Sequence, residues 1–122
     1  MAYVRNAWYV AAWVTDIPVD KPTAVEILGE PIVLWRSDGR LVAFEDRCVH
    51  RLAPLSLGRC EGASLRCMYH GLRFDADGKC VEIPGQELVP PQARVRTYPV
   101  LEKHSWAWVW SCSSTAKWVG TA

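Results

Sequence analysis

Two short clusters between Cys48 and Gly71 hold the residues of this chain that could bind a metal together. The first cluster is Cys48-Val49-His50-Arg51, and the second is Cys67-Met68-Tyr69-His70-Gly71. Each cluster offers one thiolate and one imidazole, and residues 51–66 separate the clusters by enough chain to form two opposed loops. The spacing therefore predicts a metal centre that two loops enclose from opposite sides.

The types of ligand restrict the metal. Thiolate sulfur favours iron-sulfur clusters, copper(I) or zinc, while imidazole also binds zinc, copper, iron and nickel. A set of two cysteines and two histidines leaves mainly zinc or a mixed-ligand iron-sulfur cluster. Zinc fingers usually keep the cysteines together and the histidines together, whereas here each cysteine is paired with a histidine. This order suits a dinuclear cluster with both thiolates on one iron and both imidazoles on the other, and zinc stays the alternative.

Composition sets limits on the kind of protein. The chain has 122 residues, a net charge of +1 and 50% hydrophobic residues, which fits one globular domain. A near-neutral chain gives no reason to expect nucleic-acid binding, which depends on clustered Lys and Arg. The apolar run Ala7 to Val14 is shorter than the ~20 residues of a membrane span and has no clear cleavage site after it. We therefore expect a cytoplasmic protein, with Cys60, Cys80 and Cys112 as structural thiols in a reducing compartment.

Short segments between Gly and Pro breakers predict an all-β domain of about eight or nine strands. Residues 1–14 could form a helix or a strand, and the Asp38-Gly39 pair predicts a tight hairpin turn. The two ligand loops would then be the tips of adjacent hairpins. The predicted strands are Ala24–Leu28, Ile32–Arg36, Leu41–Glu45, Ala63–Arg66, Leu72–Phe74, Cys80–Ile83, Ala93–Tyr98 and Ser105–Ser111. In the last of these, the indoles of Trp106, Trp108 and Trp110 share one face, in the core or at an interface.

Four segments carry a resemblance to a known family: Val4–Ala11, Cys48–Ser56, Cys67–Leu72 and Val81–Gln86. With them, residues 3–110 resemble the N-terminal Rieske domain of aromatic-ring-hydroxylating oxygenases, of the vanillate O-demethylase and dicamba monooxygenase kind. The resemblance implies a Rieske-type antiparallel β-sandwich with two cluster-binding hairpin loops. It also implies a [2Fe-2S] cluster bound by Cys48, His50, Cys67 and His70, with Arg51, Tyr69, Gly71 and Pro84 around these ligands. Met68 and Leu72 replace a proline and a tryptophan common in the family, and we expect them to keep the cluster shielded.

The resemblance also implies a function. An NAD(P)H-dependent reductase or ferredoxin would supply single electrons, and His70 would pass them to a mononuclear non-haem iron in the catalytic domain of the same or a neighbouring subunit. The parent protein would be an O2- and NAD(P)H-dependent mono- or dioxygenase and a homotrimer. The chain has three histidines, so only His104 is left for the second iron. That iron and the catalytic residues are therefore expected only in a missing catalytic domain.

The end of the chain leads to a further expectation. We predict a Rieske domain over residues 1–110 and an atypical, disordered tail over 111–122, as in a truncated oxygenase. Two alternatives stay open: a stand-alone Rieske ferredoxin, and a zinc-binding structural module.

Overall fold

The computed structural model describes residues 7–48, 54–68 and 71–111 of the chain. These ranges contain eleven β-strands and two single-turn 3-10 helices, Val14–Asp16 and Leu55–Leu57. The strands are β1 (Ala7–Trp13), β2 (Thr23–Ile27), β3 (Glu30–Ser37), β4 (Arg40–Glu45), β5 (Arg59–Glu61), β6 (Ser64–Arg66), β7 (Arg73–Phe74), β8 (Cys80–Glu82), β9 (Thr97–Tyr98), β10 (Val100–Lys103) and β11 (Trp106–Ser111). The predicted all-β fold is confirmed.

The strands form three antiparallel sheets with the orders β1-β11-β10, β2-β3-β4-β9 and β5-β6-β7-β8. The β2-β3-β4-β9 sheet is buried on both faces. In β3, Val33 and Trp35 enter one core while Ile32 and Leu34 enter the other, and all four are at most 1% exposed. A strand covered on both faces must be apolar at consecutive positions, which explains this uninterrupted apolar run.

The core on the Trp35 side is the one that reaches the predicted ligands. Trp35 and Phe44 meet edge to face there, with ring centroids 5.3 Å apart, a contact that contributes about 1 kcal/mol beyond burial. The same core includes Leu65, Phe74 and Cys80 from the β5-β6-β7-β8 sheet. The small sheet that carries the second ligand loop is therefore fixed to the central sheet by buried apolar side chains.

Two-residue turns connect three of the hairpins. Their central pairs, Leu28-Gly29, Asp38-Gly39 and His104-Ser105, all have positive φ at both positions. This geometry matches the twist of antiparallel strands. The predicted Asp38-Gly39 turn is confirmed. The predicted start of the first turn at Gly29 is wrong by one residue, because Leu28 belongs to the turn and β2 ends at Ile27.

The sequence predicted too few strands. β5 and β10 were not expected, and residues 7–13 form a strand rather than a helix. The second ligand loop does lie in a hairpin, between β6 and β7. The first loop differs from the prediction, because it joins β4 to β5, which belong to separate sheets. It therefore crosses from the central sheet to the small sheet and is not a hairpin tip.

The alternation in β11 is confirmed. Ala107 and Val109 are fully buried, and the three indoles between and beside them lie on the opposite, half-buried face. The β1 strand extends this face, since Trp13 stacks on Trp106 with ring centroids 3.5 Å apart. The indoles thus cover the outside of the three-stranded sheet.

The strand β11 reaches the start of the predicted C-terminal tail. Ser111 is the last residue of β11, and the rest of the predicted tail lies outside the described residues. Neither of the two helices within the described ranges has the length or the apolarity to cross a membrane.

Candidate metal centre

The two predicted thiolate ligands lie in the same core. Cys48 follows β4 after a short bend, and Cys67 directly follows β6. Each is 1% exposed, and both belong to the apolar cluster that contains Leu55 and Leu72. The structure therefore brings together, beside one apolar core, two cysteines that are distant in the sequence.

The two predicted histidine ligands, His50 and His70, lie outside the described residues. The predicted neighbours Arg51 and Tyr69 also lie outside them, so the roles of all four stay predictions. Within the described ranges no group of three or more His, Cys, Asp or Glu residues could hold a metal ion.

An aspartate and a serine brace the first ligand loop at its two ends. Asp46 accepts a hydrogen bond from the Ser56 amide at Oδ1 (2.7 Å) and another from the Ser56 hydroxyl at Oδ2 (2.6 Å). The Asp46 amide in turn donates to the carbonyl oxygen of Pro31 in β3 (3.0 Å). The stretch that contains Cys48 thus begins and ends at one clamp, which is anchored to the central sheet.

Hydrogen bonds to two adjacent carbonyls close the second loop. The Cys67 amide donates to the Leu72 carbonyl oxygen (2.7 Å), and Arg66 Nη1 donates to the Gly71 carbonyl oxygen (2.7 Å). Gly71 has φ +73°, and a Cβ there would lie 3.3 Å from Cγ of Pro84. Glycine is required at this position because an L side chain would be strained and crowded. The predicted neighbours Gly71 and Pro84 are therefore in contact with each other.

A row of charges crosses the small sheet next to this loop. Arg59, Arg66 and Arg73 are direct cross-strand partners, an arrangement that is unfavourable for like charges. Glu61 accepts from Arg66 and Arg59, and Glu82 accepts from Arg73 and Arg66. Hydrogen bonds from Arg66 and, to a smaller extent, from Arg59 lower the pKa of Glu61 to about 2. The Arg73 and Arg66 hydrogen bonds likewise lower the pKa of Glu82, so both carboxylates stay charged and offset the arginines.

The two loops meet at a shallow cleft of about 320 Å³, between residues 57–59 on one side and 66–68 with Gly71 on the other. Gly58 brings the two sides of the cleft close together, because a Cβ at this position would lie 2.0 Å from the Arg66 carbonyl oxygen. Of the two apolar residues expected to shield the cluster, Leu72 is 1% exposed, as a shield requires. Met68 is 69% exposed at the rim of the cleft, so it does not contribute to the core.

The described cysteines outside the predicted ligand set have other environments. Cys80 is buried in the same core, and its Sγ donates to the Glu82 carbonyl oxygen (3.5 Å). Burial raises the pKa of the Cys80 thiol and that of Cys60. Both are free cysteines, and Cys112 lies outside the described residues, so the role of the three as structural thiols stays a prediction.

The polar residues that brace the loops were missed in the sequence. Ser56 and Glu82 lie inside segments that carry the resemblance but were given no role, and Asp46, Glu61 and Arg66 lie outside those segments. The signal available was positional: Arg66 directly precedes the second cysteine, and Asp46 and Ser56 flank the first cluster. Charge alone could not show which acceptor each side chain reaches.

Comparisons with known proteins identify the domain. The Rieske [2Fe-2S] domain family matches residues 7–99. The chain belongs to this family. The Rieske domain is 51% identical over 109 residues to the iron-sulfur subunit of a toluene-4-sulfonate monooxygenase system of Comamonas testosteroni, which covers 88% of this chain and 31% of the relative. It is 45% identical over 112 residues to the oxygenase component of dicamba O-demethylase of Stenotrophomonas maltophilia (90% of this chain, 33% of the relative).

Solved structures agree with the sequence relatives. A crystal structure of dicamba monooxygenase superposes on the Rieske domain with a TM-score of 0.85 and 42% identity, over 91% of this chain and 35% of that chain. The domain therefore spans about a third of the length of the proteins it matches. The predicted Rieske fold and its resemblance to oxygenase components are confirmed, and the family implies a [2Fe-2S] cofactor.

The described part of the Rieske domain fits such a cluster. A mixed-ligand cluster needs two thiolates that reach one iron, and Cys48 and Cys67 are two buried thiols beside one core. Apolar surroundings of this kind keep water from a metal centre and tune it. Cys48 and Cys67 could therefore supply the sulfur half of such a donor set.

Proposed function

We propose that this chain transfers single electrons through a [2Fe-2S] cluster bound by Cys48 and Cys67 on one iron and by His50 and His70 on the other. The observation that carries the proposal is the burial of both cysteines beside one core, at the ends of two differently anchored loops. When bound, the cluster would accept and release one electron. The protein would hold the thiolates apart from solvent and keep the two loops at a fixed separation.

The electron partners follow from the relatives. We propose that an NAD(P)H-dependent reductase or a ferredoxin supplies the electron, and that His70 passes it to a mononuclear iron in the catalytic domain of an aromatic-ring-hydroxylating or O-demethylating oxygenase. The relatives are named as components of oxygenase systems and are about three times as long as this chain. His104, the histidine left over from the cluster, is exposed in the β10–β11 turn, so it offers no second iron site. A homotrimeric parent protein and a cytoplasmic location belong to the same proposal.

Metal analysis of the purified chain tests the cluster. We expect about two iron atoms and two acid-labile sulfides per chain, and a low-temperature EPR signal after reduction by one electron. Replacement of either ligand cysteine, as C48A or C67A, should abolish both. The matched controls are C60A and C80A, the second of which removes a thiol buried in the same core. Stoichiometric zinc without visible absorbance would refute the proposal in favour of a structural zinc module.

Electron exchange tests the partner. The reduced chain should be reoxidised by an oxygenase catalytic domain supplied in the same polypeptide, and a fusion to the catalytic part of a relative provides that arrangement. Rapid exchange of the separate chain with a complete oxygenase would instead favour a stand-alone Rieske ferredoxin.

A further inference from the structure

The guanidinium group of Arg66 connects the second ligand loop to two strands of the small sheet. Nη1 donates to the Gly71 carbonyl oxygen at 2.7 Å. Nε donates to Glu61 in β5 at 2.8 Å, and Nη2 donates to Glu82 in β8 at 3.2 Å. The side chain is only 21% exposed. One residue therefore fixes the end of the loop to strands on both sides of it.

We propose that Arg66 is a positioning residue for the metal centre, which holds the loop between Cys67 and Gly71 in the shape needed to retain the cluster. The proposal rests on the cluster function proposed above. Arg66 is outside the predicted ligand set and has no role in the sequence motif. It acts on the loop backbone through the Gly71 carbonyl group.

Among the described residues, Arg66 donates to the Gly71 carbonyl oxygen. Pro84, whose Cγ would lie 3.3 Å from a Cβ on Gly71, has no backbone N–H to offer. The Cys67 amide already donates to Leu72. The Arg66 bond holds the peptide group between Gly71 and Leu72, and the Cys67 bond holds the next one, between Leu72 and Arg73. Loss of the Arg66 bond would leave only the second.

The main chain of Arg66 also supports the first loop. Its carbonyl oxygen lies against Gly58, at a distance that excludes any side chain there. Gly58 follows the 3-10 helix Leu55–Leu57, which ends the first ligand loop. The exits of both loops therefore contact the same residue, so displacement of Arg66 would change the separation between the loops.

Arginine suits this task better than lysine. Its planar group presents several N–H donors in a fixed fork, whereas a lysine ammonium is a single point of charge. Donation to three acceptors that lie in different directions requires this fixed arrangement of N–H groups. Arg66→Lys therefore keeps the positive charge but cannot keep all three contacts, and this difference separates geometry from charge.

The test compares R66K and R66Q with the control R59Q. Arg59 Nε donates to the same Glu61 oxygen at 2.7 Å, but its side chain is 72% exposed. The cluster-loaded proteins are mixed anaerobically with an iron chelator, and iron release, the EPR line width of the reduced cluster and the thermal unfolding midpoint are measured. We expect R66K and R66Q to release iron about tenfold faster than wild type, as found for residues that orient metal ligands, with broadened EPR lines. R59Q should match wild type.

Two results would overturn the proposal. One is iron release and line widths in R66K and R66Q that equal those of R59Q. The other is iron release that follows the fall in unfolding midpoint in all three variants, which would give Arg66 a purely structural role. If R66Q does not fold, R66K alone decides. A wild-type chain that binds no cluster would refute the proposed function itself, and that outcome is visible before any variant is compared.

Discussion

The clamp between Asp46 and Ser56 gives the most quantitative prediction. Its two hydrogen bonds, 2.7 Å from the amide and 2.6 Å from the hydroxyl, have the short lengths of bonds to an ionised carboxylate. A hydrogen bond to a charged group contributes about 1.5–3 kcal/mol. Ser56→Ala removes one bond and should lower the free energy of unfolding by about 1.5 kcal/mol, the lower end, because the site is only half-buried. Asp46→Ala removes both and should cost about 3 kcal/mol.

The variants are measured by urea unfolding, followed by the fluorescence of the seven tryptophans. In a double-mutant cycle, S56A should cost little once Asp46 is already alanine, so the coupling energy should be about 1–1.5 kcal/mol. The control cycle pairs D46A with S37A, whose hydroxyl donates instead to the Ala63 carbonyl oxygen, and should be additive. A coupling below about 0.5 kcal/mol in the first cycle would show that the clamp does not brace the loop.

Three further predictions concern stability. Gly58→Ala should cost about 3 kcal/mol or more by urea unfolding, because its methyl group would lie 2.0 Å from the Arg66 carbonyl oxygen; a cost no larger than that of Gly85→Ala, where no atom lies within 4 Å, would contradict this. Ser105→Gly should raise the free energy of unfolding by about 0.5–1 kcal/mol, since Ser105 has φ +69°, and an unchanged urea midpoint would count against it. Glu61 has a folded pKa of about 2, below its ordinary 4.5, so its contribution is complete above pH 4.5 and is lost as the pH falls toward 2. The urea midpoint of E61Q should therefore depend less on pH in that window than the wild-type midpoint does.

The parts of the fold that could be predicted from the sequence are those that depend on a few neighbouring residues. Asp38-Gly39 fixes a turn because the conformation it needs is confined to a few residue types, and the alternation in β11 separates Ala107 and Val109 from the indoles. β5 was missed because Arg59-Cys60-Glu61 is too short, with a single apolar residue, to show an alternating pattern. Glu61 accepts hydrogen bonds from both Arg59 and Arg66 and so offsets the like charges of this cross-strand pair, and these contacts form only in the tertiary structure.

The candidate site was also predicted only in part. The ligand types and their spacing suffice to predict the metal centre, since soft donors in paired clusters have few other uses. The first loop, however, was expected in a hairpin, and it crosses between two sheets instead. No local pattern between Cys48 and Arg59 shows which sheet the next strand joins. That choice depends on Leu55 and Leu65 entering the core beside Phe44.

The crossing of the first loop explains why that loop carries a polar brace. A hairpin tip inherits its geometry from the register of its own two strands, whereas a loop between sheets does not. Asp46 supplies the missing constraint, because it joins the two ends of the first loop through Ser56 and attaches them to β3. Gly58 then places the end of the first loop against the Arg66 carbonyl oxygen. The separation of Cys48 from Cys67 therefore depends on contacts between the loops and not on the β6–β7 hairpin alone. If so, D46A and R66K should each accelerate iron release, and their combination should exceed the product of the single effects, because each brace limits the movement that the other permits.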